Sequence, residues 1–490
     1  MRRRLSLPVV LIALLVASCA TVVNPVTGQS ERTVMDESAE VAEGKKAHPQ
    51  VLAEYGSYNN ARVQGYVNEL GQRLARQSHR ANLQWTFTVL DSPEINAFAL
   101  PGGYVYVTRG IMAYLDSEAD LAGVMGHEIG HVTARHGAQR ATRQQTAGLG
   151  VLAASVLGAV LGVGDVAGQL AQSAAAGYVA SYSREQELQA DQLGAEYLAR
   201  NRYNPSNMVD VINVLKDQER FAADAARAEG KAPPSGSTWL SSHPSNDKRL
   251  DDIKRIAAGY SGSYGDDGRA RYMEATDGMT FGESREQGVT RGRNFFHEPL
   301  GFALTAPQGF RVVNSPDAIT IVNAAGDAGL VVKTVPPNAG SSHDAIIRNV
   351  FKPTEQRTDT RTLNGLQATH VVGTRRNSQG RAQGFEATVV SGPSERHYAL
   401  LYVARDGAAM QRAAPALRET EASFRALSAD DRAAAKPWTL KTVPFPRGGF
   451  AELARRSPLP ARAEQQLRLI NGVYSSSSDP QPGQPVKIVE

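Results

Sequence analysis

Cysteine is almost missing from this chain: there is one in 490 residues, at position 19. Internal disulfides, Cys-rich zinc modules and iron–sulfur clusters are therefore excluded. An excess of one charge is missing too. Lys and Arg total 53 against 49 Asp and Glu, and Arg2, Arg3 and Arg4 fall in a segment expected to be removed. The mature chain then holds 50 basic and 49 acidic residues, a net charge of about +1, which offers no argument for nucleic acid. No internal repeat of 20–50 residues is present. Apolar residues at 41% and charged residues at 21% exclude a wholly disordered chain and a multi-pass membrane protein. The length exceeds what one hydrophobic core organises, so two or three domains are expected.

Residues 1–18 carry Arg2-Arg3-Arg4 and then an almost wholly apolar run from Leu5 to Ala17. This is a secretory signal, too short to span a bilayer. Val16-Ala17-Ser18-Cys19 resembles the bacterial lipobox, whose cysteine is diacylated and becomes the new N-terminus. The competing reading is a plain signal peptide with a chance cysteine. Two acyl chains anchor stably where one is marginal. Ala20 rather than Asp after Cys19 implies, in a Gram-negative lipoprotein, the outer membrane, with the body in the periplasm.

Residues 19–57 then read as the lipidated cysteine and a polar, turn-rich tether. A helix follows, with Val63, Val67, Leu70 and Leu74 on one face. Gln84–Leu90 and Tyr104–Thr108 are predicted strands, the second after the turn Pro101-Gly102-Gly103. Ser117 with Asp120 marks a capped helix start. That helix runs through His127-Glu128-Ile129-Gly130-His131. Residues 147–164 are uncharged and rich in Gly and Ala, and read either as a flap over the site or as a membrane contact. Residues 58–260 form the first domain and 261–294, rich in glycine and charge, a linker. Short β-rich runs and two helical stretches in 295–430 predict a separate α+β domain, weakly resembling the PsbP-like fold. Residues 436–490, in strand–helix–helix–strand order, resemble a degenerate LysM module. Arg447-Gly448-Gly449 stands where such modules usually carry Gly-Asp-Thr.

The chemistry lies in His127-Glu128-x-x-His131. On a helix, positions i and i+4 share a face, so both imidazoles can reach one metal while Glu128 lies beside a metal-bound water as general base. Zinc lowers the pKa of that water and polarises a scissile carbonyl. A third protein ligand is needed. A histidine six residues after His131, the metzincin solution, fails, because Gly137 stands there and His136 is one residue out of register. Glu187 and Asp191, also at i and i+4, supply the alternative: Glu187 as the third ligand, Asp191 as acceptor for the distal N–H of a ligand histidine.

His-Glu-x-x-His followed by Ser183-Arg184-x-x-Glu187-x-x-Ala190-Asp191 is similar to the HtpX-like and CAAX prenyl protease family of zinc endopeptidases, which are gluzincins. Asn96-Ala97-Phe98-Ala99-Leu100-Pro101-Gly102-Gly103 extends the match, which spans about Asn24 to Ile256. The lipobox and the lack of a multi-span domain place the resemblance in the periplasmic BepA/LoiP-like lipoprotein branch, although no tetratricopeptide pattern follows. The resemblance implies that Asn96, Ala97 and Phe98 belong to an edge strand that pairs with substrate backbone. It also implies a role near the zinc for His243, in Ser242-His243-Pro244, either as a gate or as an oxyanion donor.

The expected fold class is α+β: a mostly helical catalytic domain with a small edge-strand sheet, a separate α+β domain, and a small βααβ module. The expected function is a lipid-anchored, periplasmic endopeptidase with one zinc ion per chain. It would degrade misfolded or unassembled envelope proteins, touch the membrane through Cys19, and reach peptidoglycan, if at all, through the LysM-like module. The alternative is a latent protease fold acting as an envelope chaperone or binding protein, which the intact His127, Glu128, His131, Glu187 and Asp191 argue against.

Overall fold

The computed structural model describes residues 20–144, 182–228, 230, 239, 243, 247–315, 318–376, 381–476 and 478–490. Cys19, the 147–164 stretch, Ser242 and Pro244 lie outside the described residues. The chain forms two compact units, residues 1–281 with 439–490, and residues 282–438. Its α+β character is plain in both. Among the described residues no helix is long and apolar enough to cross a membrane.

In the first unit a hairpin of β1 (Ala20–Val23) and β2 (Ser30–Thr33) precedes α1 (Glu37–Tyr55) and α2 (Ala61–Arg76). The expected tether is therefore folded. Its sequence hides this because α1 packs through small and charged residues: Glu40 is buried between Arg80 and Arg135 at 2.8 and 2.9 Å. A three-stranded sheet follows, in the order β3 (Thr86–Leu90), β5 (Tyr104–Thr108), β4 (Ala97–Leu100). β3 runs parallel and β4 antiparallel to the central β5, so β4 is an outer strand.

After α3 (Arg109–Tyr114) comes α4 (Glu118–Thr133), every residue of which is buried. Its start is a full capping box: the Ser117 hydroxyl accepts from the Asp120 N–H at 3.1 Å, and the Asp120 carboxylate accepts from the Ser117 N–H at 3.0 Å. Its end is capped by Arg80, which donates to the Val132 carbonyl at 3.1 Å. α5 (Arg184–Arg200) lies against α4 almost backbone to backbone. A Cβ on Gly126 would come within 3.3 Å of Gly194 Cα, and one on Gly130 within 3.1 Å of the Ala190 carbonyl. α6 (Asn207–Ala228) and α7 (Asp247–Ala258) complete the helical layer.

Residues 261–294, expected as a linker, carry α8 (Arg269–Thr276) and β6 (Thr280–Phe281). β6 joins a sheet formed with β7 (Trp438–Pro444) and β8 (Pro485–Val489), while α9 (Gly449–Ala454) and α10 (Ala463–Ile470) lie between those two strands in sequence. The βααβ order is present, but the module belongs to the first unit rather than standing apart. Lys487 explains why. Its buried ammonium donates to the Ala113 and Leu115 carbonyls at 3.1 and 2.6 Å, at the end of α3 and just before the α4 cap. Gln466 donates to the Tyr114 hydroxyl at 2.7 Å, and Tyr474 to Asp224 of α6 at 2.8 Å.

The second unit holds a seven-stranded antiparallel sheet, in the order Phe310–Ser315, Ala318–Asn323, Ala328–Thr334, His397–Ala404, Ala382–Ser391, Leu366–Arg376, Pro353–Leu363. The helix Gly407–Ser423 packs Ala413 and Leu417 into the same core as Leu330, Leu400 and Phe302.

Burial, with Arg269 nearby, pushes the Lys487 ammonium down to about 7, against about 10.4 in an unfolded chain. Asp120 opposes this without overcoming it. Between these values the unfolded chain binds more protons, so this lysine makes the fold more stable as pH rises from 7 to 10. Thermal denaturation of wild type should therefore gain on Lys487→Met across that window. A difference between the two that does not change with pH would contradict the assignment.

Candidate metal centre

The contact between α4 and α5 decides what meets what. With Gly126 and Gly130 set against Ala190 and Gly194, the acidic face of α5 is carried onto the histidine face of α4. One ligand atom each from His127, His131, Glu187 and His243 then lies within 4.8 Å of all the others, and all four residues are buried. The His127 and His131 Nε2 atoms are 3.0 Å apart, and the Glu187 oxygens lie 3.5–3.6 Å from them. His243 Nδ1 is 3.2 Å from His127 Nε2 and 3.0 Å from Glu187 Oε1.

The other ring nitrogens show which atoms carry protons. Burial raises the Asp191 carboxyl, yet Arg249 and His127 outweigh it and hold it at about 2. Arg249 grips both Asp191 oxygens at 2.8 Å. An ionised Asp191 can only accept, so His127 Nδ1 donates to it at 2.9 Å, and in the neutral ring, the form that ligates a metal, Nε2 carries the lone pair. His136 works in the same way on His131. Its Nε2 donates to Gln189 Oε1 at 2.9 Å, so its Nδ1 accepts from His131 Nδ1 at 2.9 Å. Burial holds His136 at about 4, and so neutral.

Two imidazole lone pairs thus face one another at 3.0 Å beside a carboxylate, a repulsive arrangement that a cation resolves. In a tetrahedral site with bonds of about 2.0–2.1 Å, neighbouring ligand atoms are roughly 3.3 Å apart. The spacings above fit that shape. Glu187 is kept ionised for the role: burial pushes its pKa up, but His243, His127 and Arg249 bring it below the usual value.

At Glu128, between the histidines, burial outweighs the pull of His243, His127 and Trp239 and raises the carboxyl above its ordinary value. Trp239 Nε1 donates to its Oε1 at 2.9 Å. Tyr182 stacks on His131 with ring centres 3.8 Å apart. Ala99 and Leu100 of β4 share a small pocket with His131 and Tyr182. Asn96 precedes β4; Ala97 and Phe98 lie within it, and the Phe98 ring packs against Tyr106. His136, Trp239 and the double role of Arg249 were not read from the sequence. His136 sits five residues past His131, beyond a left-handed Arg135 (φ 62°), where no helical spacing could point to it.

Two histidines and a glutamate converging on one point, with a second glutamate beside them, form a buried group that could hold one metal ion, the donor set a zinc metallopeptidase of the gluzincin type uses. Residues 61–257 match the family model "Peptidase family M48". The chain is 33% identical over 200 residues to a beta-barrel assembly-enhancing protease of Yersinia pestis, covering 39% of this chain and 38% of that one. It is 31% identical over 206 residues to the protein of the same name in Escherichia coli (strain K12), covering 41% and 40%. A mitochondrial metalloendopeptidase OMA1 of Schizosaccharomyces pombe (strain 972 / ATCC 24843) is 33% identical over 217 residues, covering 42% of this chain and 58% of that one. The chain thus spans about two fifths of the length of the bacterial relatives it matches. The solution structure of PsbP from Synechocystis sp. PCC 6803 covers 30% of this chain and 98% of its own at 12% identity and a TM-score of 0.20, a likeness that carries no assignment.

His136→Ala should free the His131 ring to turn and weaken metal binding by about 10- to 100-fold, the usual cost of losing such a partner. Chelator competition measures this, and an affinity equal to wild type would contradict the role given to His136.

Proposed function

We propose that this chain is a zinc-dependent endopeptidase of the bacterial envelope that degrades misfolded or unassembled envelope and outer-membrane proteins. The observation that carries the reading is the convergence of His127, His131 and Glu187 on one point beside Glu128. Zinc bound by these residues would supply a Lewis acid for the scissile carbonyl and acidify the attacking water. Glu128 takes the proton of that water and passes it to the leaving amine, a task its burial-raised pKa suits. The names of the bacterial relatives support an envelope substrate. Backbone pairing along the outer strand β4, from Ala97 and Phe98 with Asn96 just ahead, suits unfolded chains of any sequence. The lipobox assigns a diacyl anchor to Cys19, and so attachment to the outer membrane from the periplasmic side. Membrane fractionation of Cys19→Ser against wild type tests that anchor.

His243 is the gate in this reading. Its Nδ1 occupies the place a fourth ligand would take, and a substrate reaching the site must turn the imidazole away. For the βααβ module, the contacts of Lys487, Gln466 and Tyr474 favour an internal brace over peptidoglycan binding.

Cleavage of unfolded casein tests both roles. Glu128→Gln should keep one zinc per chain and lose turnover, because an amide cannot accept the proton; near-normal activity would place the base elsewhere. His243→Ala should raise basal cleavage several-fold at unchanged zinc content. A fall of about 10²–10³-fold would make His243 an oxyanion donor instead, and an unchanged rate would reject both roles.

A further inference from the structure

The two oxygens of the buried Glu128 carboxylate are treated differently. Oε1 accepts the Trp239 indole N–H at 2.9 Å and lies 3.4 Å from His243 Nε2. Among the described residues, no hydrogen-bond donor reaches Oε2, although it is buried. A buried carboxylate oxygen without a donor is costly and uncommon. Beside a metal centre it marks the atom that a reacting group will meet.

We propose that Trp239 is the positioning residue of the general base: its indole fixes Oε1, and with it the carboxylate plane, so that Oε2 alone takes the proton. This rests on the endopeptidase reading above. Indole suits the task for a chemical reason. It donates one hydrogen bond, accepts none and carries no charge, so it can neither compete for the proton nor neutralise the base as Lys or Arg would.

Trp239 is itself firmly held. Its side chain is fully buried. Its backbone N–H donates to the Ile95 carbonyl at 2.7 Å, two residues ahead of β4, and its carbonyl accepts from the His243 N–H at 2.9 Å. Its ring stacks on the His243 imidazole with centres 4.6 Å apart, and Arg249 lies 5.5 Å from its centroid. One residue therefore ties the start of the outer strand to the general base. The His243 backbone is pinned at both ends, by Trp239 at its N–H and by Arg249 at its carbonyl, at 2.8 Å.

The test uses the full chain carrying Trp239→Phe, or 3-benzothienylalanine at position 239, which keeps the indole shape and replaces N–H by sulfur. Steady-state cleavage of fluorogenic casein, bound zinc and Tm are measured for each. Loss of one hydrogen bond to a charged group predicts that kcat falls about 10- to 100-fold. KM should stay within about twofold and zinc at one per chain, the pattern of an interaction used in the reaction step rather than in substrate binding. If Trp239→Phe fails to fold, the benzothienylalanine form decides. An unchanged kcat there overturns the proposal, and so does a raised kcat, which would make Trp239 a restraint. A parallel fall in Tm and zinc content would reduce it to a core residue. A wild-type protein no more active than Glu128→Gln would overturn the endopeptidase reading, leaving no base to position.

Discussion

The close approach of α4 and α5 is the contact on which the rest of the first unit depends. A Cβ on Gly194 would come within 3.2 Å of the His127 backbone nitrogen, and Gly126 and Gly130 leave equally little room. Larger side chains would hold the helices farther apart, as in ordinary packing at 8–10 Å. Glu187 and Asp191 would then fall short of the histidines. Ser117 and Asp120 cap α4 at one end and Arg80 caps the other, so the helix that carries the site is fixed along its length.

Around that contact the buried charges satisfy one another in sequence. Arg249 ionises Asp191, Asp191 sets the His127 tautomer, and His136 sets that of His131. Burying this many charges is expensive unless each is paired and hydrogen-bonded. The pairing leaves two imidazole lone pairs and the Glu187 carboxylate facing one point, which is a demand for a cation. At Glu128 burial outweighs the pull of His243, His127 and the Trp239 hydrogen bond, and its pKa stays raised. In the proposed reaction the same fold thus prepares Glu187 as a ligand and Glu128 as a base.

Much of this was legible in the sequence, for identifiable reasons. His127, Glu128 and His131, with Glu187 and Asp191, follow helical spacing, and the capping box at Ser117 marks the start of the first of the two helices. In the second unit, apolar alternation pointed to strands such as Ala318–Asn323. Pro353–Leu363 escaped because it is almost wholly polar and exposed, held by its ladder to Leu366–Arg376. α1 escaped because its buried positions include Glu40 and Gly44 rather than an apolar stripe. Lys487 reads as a surface lysine until the distant Ala113 and Leu115 carbonyls are known to meet it. His136 and Trp239 act through long-range neighbours, Gln189 and Glu128, which no local pattern announces.

The central claim is that the ligand atoms of α4 and α5 hold one zinc ion between them. Anomalous scattering from crystals of the full chain, recorded on either side of the zinc absorption edge, tests it most directly. The account predicts a single peak per chain in bonding contact with His127 Nε2, His131 Nε2 and the Glu187 carboxylate. A zinc-loaded protein with no peak there, or with its metal bound by other residues, would contradict it.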